Sequence, residues 1–130
     1  MEYKPLTEKE EEIGKIIVNA AFNVHSQLGP GLLEKIYEIC LIHELEKEGL
    51  SVQRQYPVQI NYDGILFDEG LRIDIFVEEL VICELKAAEG MNQVWEAQLL
   101  SYLKLTNKRL GYLINFNVKR IKDGIKRIIL

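Results

Sequence analysis

Cysteine is scarce. The 130 residues hold two, Cys40 and Cys83. They are far apart and neither lies in a CxxC or Cys/His spacing, so the pattern supports neither a disulfide framework nor a structural zinc site. Both are flanked by Ile, Leu or Val, which reads as two reduced core thiols in a cytoplasmic protein. Proline is nearly as sparse, with three residues, and no Pro/Ser-rich tract marks a linker. No apolar run approaches the ~20 residues a membrane-crossing helix needs. The opening MEYKPLTEKEEEIG is acidic and lacks an apolar segment, so it is not expected to act as a secretory signal. A basic excess is also missing: 16 Lys and Arg stand against 20 Asp and Glu, for a net charge of -4. That balance argues mildly against a polyanionic partner.

The average hides a gradient. From Lys104 to Leu130 there are eight basic residues and one acid, Asp123, for a net +7, while the preceding residues carry a net -11. A basic end on an acidic body can still hold a polyanion locally, and it can equally be an ordinary solvated face. The composition is otherwise that of a globular protein, 48% hydrophobic and 28% charged. The length predicts one domain over residues 1–130, large enough to bury roughly two-thirds of its unfolded surface.

Periodicity gives the order of elements. Thr7 is a good N-cap, with Glu8, Glu10 and Glu11 at the positive end of the helix dipole. Ile13, Ile16, Ile17, Ala20, Ala21 and Val24 continue at helical spacing until Gly29-Pro30-Gly31 breaks the run. A second helix is predicted from about Leu32 to Glu48. Ser51 to Tyr62 reads as a strand, and Asp63-Gly64 as a hairpin turn. A strand region from Ile65 to Val77, bent near Glu69-Gly70, precedes a third strand from Leu80 to Lys86. A third helix ends near Thr106, and Leu110 to Phe116 reads as a central strand. The ending, Val118 to Leu130, fits strand or helix. The expected class is α/β, an α+β mixed sheet packed by helices.

Strand alternation locates the chemistry. Leu71, Ile73, Ile75 and Val77 are expected on one face, with Arg72, Asp74 and Phe76 on the other. By the same rule Glu84 and Lys86 leave the face used by Val81, Cys83 and Leu85. A hairpin between these strands brings Asp74, Glu84 and Lys86 together. Ionisable groups in mid-sheet are costly unless they are paired or hold a metal. Two carboxylates suit a hard dication such as Mg²⁺ or Mn²⁺, and a lysine beside them can hold a water or balance phosphate charge. The same three residues also fit a plain Glu/Asp–Lys salt bridge at a sheet edge. Glu34 on the second helix and Gln98 on the third fall on otherwise apolar stripes with Tyr37 and Tyr102, and face either the sheet or solvent. His43 lies on the outer face of its helix. His25, before the Gly-Pro-Gly break, either caps the helix end or bonds backbone near the break, or else reaches a phosphate.

These residues resemble the PD-(D/E)xK nuclease core: Asp74, then Glu84-Leu85-Lys86, then a helix with Gln98. More narrowly, Gly31-Leu32-Leu33-Glu34-Lys35-Ile36-Tyr37 resembles the pattern of the GxxExxY protein family within that superfamily. The likeness covers about residues 10 to 130. It implies an αβββαβ core with an extra N-terminal helix and metal-dependent cleavage of phosphodiesters in nucleic acid, DNA above all. By the resemblance Asp74, Glu84 and Glu34 would be metal ligands for Mg²⁺ or Mn²⁺. Lys86, Gln98 and Glu34 would serve catalysis, and Arg72, Tyr102 and His25 would contact substrate. The proline of the superfamily motif is replaced by Ile73, and Trp95 stands where the family pattern has a histidine. Two other readings remain. One is a non-catalytic nucleic-acid-binding or regulatory module. The other is an interaction subunit or homodimer docking through Ile128-Ile129-Leu130.

Overall fold

A computed structural model describes residues 4–130, so residues 1–3 of the expected domain lie outside the described residues. In chain order the elements are α1 (Glu8–Leu28), α2 (Glu34–Lys47), β1 (Val52–Pro57), β2 (Ile60–Tyr62), β3 (Ile65–Phe67), β4 (Arg72–Val77), β5 (Val81–Lys86), α3 (Gln93–Thr106), β6 (Leu110–Asn115) and β7 (Ile125–Ile129), with a 3₁₀ turn at Ile121–Asp123 before β7. Thr7 and Glu10 form a reciprocal capping box: the Thr7 hydroxyl accepts the Glu10 N–H, and the Glu10 carboxylate accepts the Thr7 N–H at 2.7 Å. Two donors that the first turn leaves orphaned are thus satisfied. Gly29 closes α1 at φ 69°, a conformation that costs glycine little.

The five-stranded sheet runs β1-β4-β5-β6-β7. β5 and β6 are parallel and joined through α3; the other neighbours are antiparallel. Helices α1 and α2 cover one face, packing on Ile75, Val77, Val81, Cys83, Leu85 and Ile114. Helix α3 covers the other, with Leu99 and Leu103 against Ile73, Phe76, Ile82 and Leu113. The αβββαβ core is therefore α2, β1, β4, β5, α3 and β6. To it are added α1, the edge strand β7 and a separate ribbon of β2 and β3.

Three expectations are corrected. The single strand from Ser51 to Tyr62 is split, because β1 ends at Pro57, which has no N–H to extend a ladder, and β2 begins at Ile60. The ending is both a 3₁₀ turn and a strand. Within it Ile128 is buried in the α3-side core, leaving Ile129 and Leu130 partly exposed. The third correction bears on the site. Ile75 and Val77 face α1 and α2 as expected, but Ile73 joins the core under α3, with Leu71 packed against it. The cause is a local break at Asp74. Gln55, at φ 51°, stands between the Arg54–Ile75 and Tyr56–Ile73 pairs, opposite Asp74. On the other side the β4–β5 pairing stops at Ile75–Cys83, and the Asp74 carboxylate accepts the Leu85 N–H at 2.8 Å.

Candidate active site

The gap between β4 and β5 beyond that last pair is where the acidic groups gather. Glu84 is only 4% exposed, and its Oε1 is buried without a hydrogen-bond partner. Burial, and after it the charge of Asp74, pushes the Glu84 carboxyl up to about 10. An isolated buried carboxylate with an empty acceptor is costly. These strands are interior to the sheet, so the pair is not an exposed edge salt bridge. Among the described residues, Lys86 forms no ion pair within 4 Å; its Nζ lies 5.4 Å from the Trp95 ring centroid, a cation–π distance. The lysine is thus held beside the carboxylates without being neutralised by them.

Helix α2 brings Glu34 into the same neighbourhood. Its carboxyl is raised by burial first, then by the charge of Asp74, while Lys86 draws it back down. The Gly31-x-x-Glu34-x-x-Tyr37 motif explains how it gets there. Gly31 takes φ 95° in the turn, and Glu34 is the first residue of the helix. The fully buried Tyr37 then locks the turn: its hydroxyl donates to the Gly29 carbonyl at 2.6 Å and accepts the Leu32 N–H at 3.1 Å. Its ring stacks on Phe116 at 4.5 Å and 4°.

Helix α3 supplies the opposite wall. The Tyr102 hydroxyl is raised by burial and then by the charge of Glu84, and the main chain of Arg72 acts on it in the other direction. The Gln98 amide lies 3.4 Å from that hydroxyl and is otherwise exposed. The Arg72 side chain itself is exposed. Glu34, Glu84 and Tyr102 therefore each sense the charge of Asp74, and Glu34 and Glu84 that of Lys86 as well, with Gln98 attached through Tyr102. His25 is held elsewhere. It is buried, and its Nε2 lies 2.8 Å from the Val118 carbonyl, a contact that requires the proton on that nitrogen. Of the two roles expected for it, it fills the backbone-bonding one. His43 is exposed, as expected. Both cysteines are unpaired, and burial raises the Cys83 thiol far above its ordinary range.

Sequence reasoning missed four residues here. Glu38, 6% exposed, pairs with Arg54 and accepts the Gln55 amide at 2.8 Å; that amide also lies 3.4 Å from Asp74 Oδ1. A second carboxylate one helical turn after Glu34, on the stripe with Leu41 and Leu45, was the available signal. Asn115, fully buried, donates to the carbonyls of Ala88 and Gly90 at 2.8 Å each and accepts the N–H groups of Ala88 and Asn117. It pins the loop that leads from Lys86 to α3, and its place as the one amide in the apolar run Leu110 to Phe116 was the available signal.

The donor set is all oxygen, which suits a hard dication and not a soft one. The unpartnered Oε1 of Glu84 beside Asp74 is the fit such an ion requires. No group of three or more Asp, Glu, His or Cys side chains stands ready as a closed metal cage among the described residues. The candidate ligands are thus a pair with a third carboxylate, Glu34, near enough to sense it.

A mixed α/β sheet with paired carboxylates and a lysine where two central strands part defines a nuclease-like class of fold. The comparison with known families agrees: residues 11–128 match the PD-(D/E)XK nuclease superfamily, and the chain belongs to it. No curated protein and no solved structure matches the chain. Among the described residues no helix is long and apolar enough to cross a membrane.

Proposed function

We infer that this protein is a metal-dependent phosphodiesterase acting on nucleic acid, DNA above all, and a GxxExxY-type member of its superfamily working in the cytoplasm. The observation that carries the reading is the buried, unpartnered Glu84 Oε1 beside Asp74, with an unneutralised Lys86 next to the pair. Asp74 and Glu84, with Glu34 completing the shell directly or through water, would hold Mg²⁺ or Mn²⁺. Lewis acidity toward a phosphoryl oxygen is the chemistry such an ion supplies when bound. Lys86 places a full positive charge where negative charge develops during attack on a phosphodiester, and Trp95 fixes that charge from one side. Gln55 and the Leu85 N–H hold the Asp74 carboxylate in place. Gln98 and Tyr102 present a neutral amide and a neutral phenol beside the carboxylates, able to hydrogen-bond a ligand without adding charge.

Cleavage of plasmid DNA and of labelled oligonucleotides with Mg²⁺ or Mn²⁺ tests this. Wild-type protein is expected to cut only with added metal. Asp74→Ala and Lys86→Ala are each expected to lose activity by a hundredfold or more, roughly the scale for removing one charge-stabilising group. Equal cutting by wild type and both variants would assign the activity to a contaminant or to another site.

A further inference from the structure

We propose that the basic loop after β6, carrying Lys119, Arg120 and Lys122, grips the phosphodiester backbone of nucleic acid that occupies the candidate site. The inference rests on the nuclease reading above and adds to it the surface that holds the polymer.

Position comes first. β5 and β6 are parallel and pair Lys86 with Asn115, so both strands end at the same margin of the sheet. The Phe116 N–H donates to the Lys86 carbonyl at 2.9 Å, and the loop therefore leaves the sheet directly beside the site lysine. Phe116 stacks on Tyr37, three residues after Glu34, which ties the loop to the helix that carries the third carboxylate. The Val118 carbonyl is held by His25, and Ile121 is buried against α1. The loop is thus a fixed ledge, and Lys119, Arg120, Lys122 and Asp123 are its exposed residues.

Charge comes second. The chain is acidic overall, yet residues 14–33, which form most of α1 and the turn to α2, contain no Asp or Glu, and neither do residues 113–122. These two segments meet where His25 bonds the Val118 carbonyl and Ile121 is buried against α1. The acids of α1 are confined to its opening, before Ile13. Within these two segments a polyanion meets no acidic side chain; the next residue along the loop, Asp123, lies 3.5 Å from Arg120 in a pair more than half exposed. Such a pair is weak and leaves the arginine free to turn to a phosphate.

The structure also separates this loop from Arg109, Lys126 and Arg127, which are engaged elsewhere. Lys126 pairs with Glu96 at 2.7 Å, and Arg127 pairs with Glu11. Arg109 donates to the carbonyls of Lys4, Pro5 and Leu130, tying the two ends of the described chain together. The sequence shows one undivided basic tail; the fold leaves Lys119, Arg120 and Lys122 as the cluster beside the site.

Fluorescence anisotropy with fluorescein-labelled DNA of about 20 nucleotides, single-stranded and duplex, tests the proposal without added metal, so that no cleavage is required. The triple variant Lys119→Gln/Arg120→Gln/Lys122→Gln is expected to bind about tenfold or more weakly near 0.1 M salt. Its plot of log affinity against log salt should be shallower by about 2 to 3, since each lost phosphate contact removes roughly 0.7 to 0.9 from the slope. The double variant Lys126→Gln/Arg127→Gln should change neither quantity appreciably, and thermal melting confirms that both variants fold. Wild-type binding that the triple variant reproduces in affinity and slope overturns the proposal while leaving the nuclease reading intact, as does an equal loss in both variants. Wild-type protein that binds neither oligonucleotide at any salt overturns both.

Discussion

Replacing Glu84 with glutamine should stabilise the metal-free protein at neutral pH, the opposite of what loss of a buried ion pair produces. Glu84 is 96% withdrawn from solvent by its 4% exposure, and its carboxyl is pushed up from the ordinary 4.5 to about 10 by burial and then by Asp74. In the unfolded chain at pH 7 the group is ionised, so folding without metal must take up a proton. The sign follows from the raised value. The group's contribution is complete below about pH 4.5 and is lost progressively as pH rises toward 10. Each pH unit in that window is worth about 1.4 kcal/mol, so at pH 7 the penalty reaches about 3 kcal/mol. Glutamine keeps the shape, donates toward Asp74 as the protonated acid does, and cannot ionise. Urea unfolding in EDTA should therefore show Glu84→Gln more stable than wild type by up to about 3 kcal/mol at pH 7, with the difference shrinking toward zero near pH 4.5. Added Mg²⁺ should stabilise wild type and leave the variant unchanged. A variant less stable than wild type by the same amount at both pH values would refute the reasoning, because Glu84 would then be ionised and paired in the metal-free fold.

The same protonation governs metal affinity. Calorimetric titration with Mn²⁺ should release close to one proton per ion bound, and the affinity should rise roughly tenfold per pH unit between about pH 5.5 and 8; a flat profile contradicts a protonated Glu84. Gly111 lies on β6 under α3, where an added Cβ would stand 2.9 Å from Leu99 Cδ1, and Leu99 is fully buried. Gly111→Ala should cost about 1 to 3 kcal/mol by overpacking, read as a lower urea midpoint; an unchanged midpoint would mean that α3 sits less tightly on the sheet than described.

How much of this was legible in the sequence depended on whether local chemistry or long-range geometry decided each feature. Thr7 with Glu10, the Gly29-Pro30-Gly31 break and Asp63-Gly64 were readable because caps and turns follow from adjacent residues. At the last of these, both residues take the positive φ that the hairpin requires. Strand β5 was readable because its alternation is regular, and it put Glu84 and Lys86 opposite the core side chains Cys83 and Leu85. Strand β4 was only half readable. Its polar residue was found, but Ile73 and Ile75 lie on opposite faces of the sheet, since Asp74 trades a strand pairing for the Leu85 N–H and Gln55 twists away opposite it. No two-residue period announces such a break; it arises from two strands meeting. Glu38, Arg54 and Gln55 stayed hidden for the same reason, as their pairing joins α2 to β1 across the fold. Tyr37 was seen as part of a motif, and its task of sealing the turn that presents Glu34 emerged only with the backbone in view.

A crystal structure of the protein soaked in Mn²⁺, with the ion located by its anomalous signal, tests the central claim most directly. We expect one ion bound by oxygens of both Asp74 and Glu84, with Glu84 Oε1 no longer bare. Strong anomalous signal elsewhere, or none between these two carboxylates at an Mn²⁺ concentration that supports cleavage, would contradict the account.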